Sequence, residues 1–180
     1  MKKEIILAIT LTALISGCTS TLTKIEPTNS AATLIVGRAE FNCSNSPRKK
    51  LSVGSYQNGL IIQFQNIETK ENFTIYTEGK DGFFFINNPS IKTLKLKKIT
   101  VKDHFTGWSA FLAPNDQNIY TLKQGKVNNL GLLVCHVDLI DSEYDQTFNA
   151  GYDDTVKQFL ERYPDSQWNN FEWINIIGKK

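Results

Sequence analysis

Residues 59–66, Gly-Leu-Ile-Ile-Gln-Phe-Gln-Asn, place Leu60, Ile62 and Phe64 on one side of an extended chain and Gln63 and Gln65 on the other. A period of two is the mark of a strand with one buried face, and it cannot serve a helix. The pattern recurs along the chain. In TLIVGRAEF (33–41), Ile35, Gly37, Ala39 and Phe41 oppose Val36, Arg38 and Glu40. NFTIYTE and GFFFIN flank the turn EGKDG and read as a hairpin closed by Gly79 and Gly82. KTLKLKKITV alternates until Lys97-Lys98, where the phase slips, so a bulge or bend is expected there, and its lysines suit a guarded edge strand. WSAFL, NIYTLK and VNNLGLLVCHVDL continue the series, the last with Val127, Leu133, Cys135, Val137 and Leu139 expected on one face. Many short strands with turn signals, and no helices alternating with them, predict a mainly β fold, a β-sandwich rather than a parallel sheet.

The C-terminal part changes character. In DDTVKQFLERYP, Val156, Phe159, Leu160 and Tyr163 stand at i, i+3, i+4 and i+7, which predicts one amphipathic helix over about 153–163. Asp153 and Asp154 at its start and Arg162 at its end suit the helix dipole, and Pro164 stops it. The tail that follows carries Trp168, Phe171 and Trp173. These aromatics are expected to cap the sandwich; the alternative is an interaction surface built from Trp108, Trp168 and Trp173.

The N-terminus is a processing signal before it is structure. Lys2 and Lys3 precede an apolar stretch, Ile5 to Ile15, that is shorter than the about 20 residues a spanning helix needs. Ile15-Ser16-Gly17-Cys18 resembles the lipobox of bacterial lipoproteins. That resemblance implies cleavage before Cys18, a diacylglyceryl thioether on its sulfur and, in many species, acylation of the new amino terminus. Two or three acyl chains anchor stably where one does not. Thr19 rather than aspartate follows the cysteine, so the outer membrane is expected in a host with two membranes. The expected organisation is a cleaved signal over 1–17, a flexible lipidated tether over 18–32 (polar, with Pro27) and one domain over 33–180. The alternatives are a secreted protein with a chance cysteine, and an uncleaved N-terminal helix.

Removing residues 1–17 leaves 163 residues, enough for one ordinary domain. Lys2, Lys3 and Glu4 leave with the signal, so 18 basic and 17 acidic side chains remain, a net of +1. Near-neutrality argues against nucleic acid as a partner. Lipid on Cys18 leaves Cys43 and Cys135 as a disulfide candidate pair in an exported setting, closing a loop of about 90 residues. The alternative is two buried thiols acting as small hydrophobes.

Three phrases, Ile35-Val36-Gly37-Arg38, Asp81-Gly82-Phe83-Phe84-Phe85 and Gly125-Lys126-Val127-Asn128-Asn129-Leu130-Gly131, together resemble small bacterial envelope lipoproteins. Those are built on a carboxypeptidase-regulatory-like or transthyretin-like sandwich, so the resemblance implies an antiparallel Greek-key sandwich of transthyretin-like or immunoglobulin-like type, here with the one C-terminal amphipathic helix. The likeness covers roughly residues 33–140, departs at Asn88-Pro89-Ser90 where a Pro-Gly turn is common, and implies fold and location but no catalytic residues.

Residue types suited to chemistry are sparse. His104 and His136 belong to no metal-spaced pair, and no nucleophile elbow or P-loop is present. Cys135 and His136 are strand neighbours and point to opposite faces. Asp138, Asp141, Glu143 and Asp145 are hard oxygen ligands that could hold calcium, although they lack the EF-hand pattern, and a solvated loop is the plainer reading. Arg48, Lys49 and Lys50, with Lys95, Lys97 and Lys98, could meet anionic headgroups or simply be solvated. No cofactor is expected beyond the lipid on Cys18. The function expected is a non-catalytic lipoprotein that binds or scaffolds another envelope protein; the alternatives are a small-ligand or glycan module and, least favoured, an enzyme.

Overall fold

The computed structural model describes residues 25–45, 54–56, 59–87, 90–102, 109–112, 118–138 and 143–178. The described chain forms strands β1 (Leu34–Asn45), β2 (Gly54–Tyr56), β3 (Ile61–Asn66), β4 (Asn72–Tyr76), β5 (Phe83–Asn87), β6 (Thr93–Lys102), β7 (Ser109–Leu112), β8 (Ile119–Thr121), β9 (Val127–Asp138) and β10 (Glu143–Ala150). Helix α1 (Tyr152–Arg162), a 3-10 turn (Gln167–Asn170) and β11 (Trp173–Asn175) complete it. The fold is mainly β, with two sheets packed together and one helix.

One sheet runs β10-β9-β1-β2, with β11 also on β9 and β5 also on β1. The other runs β4-β3-β6-β7, with β8 also on β6. Between them lies a core of Ile35, Ala39, Phe41, Leu60, Ile62, Phe64, Leu94, Leu96 and Cys135, among others. The inward faces read from the alternation in β1 and β3 are the ones found. A second apolar cluster covers the outer face of the first sheet, where Leu34, Val36, Phe83 and Val127 meet Phe159, Tyr163, Trp168, Ala32 and Ile25. β1 thus begins apolar on both faces, under α1, and continues with Arg38, Glu40 and Asn42 on the outer side, where the cover ends.

Several expectations are corrected. The first sheet is not wholly antiparallel, because β1 and β11 both run parallel to β9. β4 and β5 do not form a hairpin: β4 pairs with β3, and β5 pairs with β1 in the other sheet. Only a bridge between Glu78 and Phe83 closes the turn. Phe83 and Phe84 are both buried, so β5 needs cover on two faces, which only the helix-backed sheet supplies. β6 is an interior strand between β3 and the β7/β8 side, and no edge needs its lysines. The bulge expected at Lys97-Lys98 is present, since Gln63 pairs with Lys98 and Phe64 with Leu96.

In β9, Val127 and Leu133 lie on opposite faces, against the expectation. Val36 pairs with Asn129 and Arg38 with Leu132, so Leu130 and Gly131 oppose Gly37 alone and the phase inverts. Gly131 has φ +73, and a Cβ there would stand 2.6 Å from the Ala150 carbonyl oxygen. The helix expected over 153–163 is present, but its buried side is Thr155, Phe159 and Tyr163, while Leu160 is 42% exposed.

The tether is shorter than expected. Ile25 is only 3% exposed, and Ala32 is fully buried. Ile25 and Ala32, expected to belong to a flexible stalk, instead pack into the outer cluster, because the aromatics of the C-terminal segment give Ile25 an apolar seat, while residues 28–31 between them are exposed.

Candidate functional site

Among the described residues, two regions carry surface features beyond packing. The first is the pole of the molecule where the N-terminal segment meets the end of α1. The Ser166 hydroxyl donates to the Ile25 carbonyl at 2.9 Å, the Gln167 amide to the Glu26 carboxylate at 3.1 Å, and the Asn87 side-chain amide to the Glu26 carbonyl at 3.3 Å. Pro164 ends the helix and lets the chain turn, so Ser166 caps the 3-10 turn by accepting from the Trp168 amide. Ile25, Glu26, Arg162, Tyr163, Pro164, Asp165 and Ser166 border a shallow cleft of about 250 Å³.

Beside that cleft, Arg162 donates to Asp81 Oδ1 at 2.5 Å, and its guanidinium carbon lies 5.1 Å above the Phe83 ring. Arg38 Nε donates to the Asp81 carbonyl at 3.1 Å. Burial, with the Glu78 carboxylate adding to it, holds the Tyr163 phenol above its ordinary range and keeps it neutral. This ion pair binds the turn before β5 to the last turn of α1. Its chemistry is structural.

The second region is the edge of β4. Its five residues carry no charge, and Tyr76 is 62% exposed. Thr74, Ile75, Tyr76, Glu78, Phe84 and Phe85 border a cleft of about 210 Å³ where the two sheets part. Both clefts fall below the about 300 Å³ at which ordinary ligand pockets begin.

The residues singled out in the sequence fare unevenly. Cys18, Trp108, Asp141, His104 and Arg48-Lys49-Lys50 lie outside the described residues. So do the side chains of Asp138, Glu143 and Asp145, although the backbone register sets Glu143 opposite Asp138 and Asp145 opposite His136. Among the described residues no group of metal-ligating side chains gathers, and no helix is long and apolar enough to cross a membrane. Trp168 is not a surface residue: it is fully buried, 4.6 Å from Phe171 between ring centres. Trp173 is half-buried against Phe159, 5.2 Å away. Both belong to the capping layer.

Cys43 and Cys135 are both buried, and no disulfide joins them. They sit on adjacent parallel strands, but Cys135 pairs with Phe41 and Cys43 with Val137. That two-residue offset separates their α-carbons by about 8 Å, given the spacing of strands and residues in a sheet, which exceeds what a disulfide spans. Burial pushes the Cys135 thiol up to about 12. His136 is exposed on the opposite face, so the two do not form a nucleophile–base pair.

The clamp at Ile25 and the edge at Tyr76 escape sequence reading, because both depend on which strands become neighbours. The one local signal was the lack of charge in NFTIY, which fits an interior strand equally well. No protein-family model matches the chain, and no curated protein or solved structure matches it.

Proposed function

We propose that this chain is a lipid-anchored, non-catalytic protein of the bacterial cell envelope that binds another envelope protein. Ile15-Ser16-Gly17-Cys18 supports the anchor, with fatty acyl chains on Cys18 as the sole added group. The single observation that carries the binding role is the edge of β4, which among the described residues pairs with β3 alone. It has no lysine, proline or bulge of the kind that normally blunts an edge, and it presents Tyr76 beside the cleft at Phe84 and Phe85. Such an edge suits an extended partner segment that adds a strand, with Tyr76 as an aromatic anchor. Among the described residues, neither cleft reaches the size of an ordinary ligand pocket, which supports this reading over a small-ligand or glycan module. The finer assignment, to the lipoproteins with a Greek-key, transthyretin-like sandwich, belongs to the same proposal. It is supported by Gly82 opening β5 after a turn and by Leu130-Gly131 within the long β9. Placement in the outer membrane, for a host with two membranes, rests on Thr19.

The test is a photo-cross-linking residue at position 76 in living cells, with Cys18→Ala beside it. A defined protein adduct that depends on both the position and the anchor supports the reading. Absence of an adduct from correctly localised protein would count against it.

A further inference from the structure

We infer that the pole formed by Ile25, Glu26, Pro164 and Gln167 faces the phospholipid bilayer, and that the opposite pole, where Asn45, Asp138 and Glu143 come together, projects away from it. The inference rests on the proposed acylation of Cys18. Seven residue steps separate Cys18 from Ile25, and a fully extended chain covers at most about 3.6 Å per step, so the reach is about 25 Å. Ile25 is a fixed point of the fold: it is buried among the aromatics of the outer layer, and the Ser166 hydroxyl and the Gln167 amide hold it and Glu26 in place. The far pole is set by β1, which starts in that layer at Leu34 and runs to Asn45, about 36 Å at the ordinary rise per residue. Asn45 pairs there with Asp138, and Asp138 with Glu143. The anchor is therefore shorter than the strand, and a clamp rather than a loose stalk sets which end of the domain meets the lipid.

The charges of the near pole decide what kind of contact this is. Glu26 and Asp165 border the cleft at this pole, and among the described residues the one cation bordering it, Arg162, is engaged with Asp81. An acidic rim does not attract anionic headgroups. The acyl chains hold the pole at the surface, and the protein does not insert.

The experiment uses the full lipidated protein in phosphatidylethanolamine–phosphatidylglycerol vesicles carrying nitroxide-labelled headgroups. A fluorophore is placed at Gln167→Cys or at Glu143→Cys, the native Cys43 and Cys135 being buried. Mass measurement of the N-terminal peptide first establishes acylation of Cys18. Strong quenching at position 167 and its loss at position 143 is the expected result. Inserting about twelve Gly/Ser residues after Lys24 leaves the folded part intact and frees the domain to tumble, so the contrast between the labels falls. Releasing the clamp with Ile25→Asp and Ser166→Ala moves the first fixed point towards Ala32 and has the same effect. Equal quenching at both positions in acylated protein, or an unchanged contrast after the insertion, overturns the inference and leaves the anchor standing. An unacylated Cys18 overturns both.

Discussion

The hydroxyl of Ser166 and the carbonyl of Ile25, 141 positions apart in the chain, meet in a buried hydrogen bond of 2.9 Å. The bond joins the first described segment to the last and closes the outer layer over β1. Ser166→Ala leaves a buried carbonyl without its donor and uncaps the Trp168 amide. The expected loss is about 1–2 kcal/mol. Ile25→Ala empties a packed site and is expected to cost about 2–3 kcal/mol. Urea denaturation of the protein lacking residues 1–17 reads both. Proteolysis between 25 and 32 should quicken in each variant, and unchanged midpoints would mean that the segment is not held.

Arg162 and Asp81 stand 2.5 Å apart with side chains 19% and 16% exposed, so each is largely desolvated. Removing one leaves the other as a half-buried charge. Arg162→Met and Asp81→Asn are each expected to destabilise by about 2–3 kcal/mol. Among the described residues, Asp81 Oδ2 and Arg162 Nε already lack hydrogen-bond partners, so the pair is incompletely satisfied. The double variant should therefore recover part of the loss, with a coupling of about 1–3 kcal/mol in a double-mutant cycle. Strict additivity would show that the contact carries no energy.

How far such features are legible in the sequence depends on their range. Alternation in β1 and β3 names the inward side chains correctly because a half-buried strand needs only local information. The bulge at Lys97 was legible for the same reason, as a break in phase. Alternation alone puts Val127 and Leu133 on one face, because the bulge at Gly131 depends on Ala150, which only the fold brings beside it. Phe83 and Phe84 read as half of a hairpin, although two buried neighbours in a strand already hinted at cover on both faces. Trp168 could be core or surface on pattern alone, and only the seat it makes for Ile25 decides. The disulfide candidate failed on register, which no spacing of two cysteines reveals.

Alkaline pH should unfold the domain through groups buried in neutral form. Burial raises the Cys135 thiol from 9.0 to about 12, and burial likewise raises the phenols of Tyr120, Tyr152 and Tyr163. A raised value means that the folded state keeps a proton that the unfolded chain has released. The stabilisation is complete below pH 9 and is lost as pH climbs towards 12, at about 1.4 kcal/mol per unit for the thiol alone. Denaturation midpoints measured from pH 8 to 11 are expected to fall. Cys135→Val should flatten the first part of that fall, where the tyrosines have not begun to titrate. An identical slope in the variant would mean that Cys135 titrates normally in the folded protein. The same burial predicts that Cys135 resists thiol reagents until the domain unfolds.

Gly82 stands at the point where the chain leaves one sheet for the other, with φ +67. A Cβ at this position would lie 1.9 Å from the Ala39 carbonyl oxygen, which is backbone of the central strand and cannot move aside. The Gly82 carbonyl in turn accepts from the Ala39 amide at 2.9 Å, so the close approach is part of the pairing. Gly82→Ala therefore combines a left-handed backbone penalty with a clash against β1. Relief requires β5 to withdraw, which exposes Phe83 and Phe84 together. The expected loss is about 3 kcal/mol or more, enough to consume much of a domain's stability. Gly59 provides the control: its φ is +70, but among the described residues nothing lies within 4 Å of where its Cβ would be. Gly59→Ala should cost only the backbone term, about 1 kcal/mol. Thermal melts of the two variants separate the contributions. Equal melting temperatures would show that the approach of Gly82 to Ala39 is not what joins the two sheets at this corner.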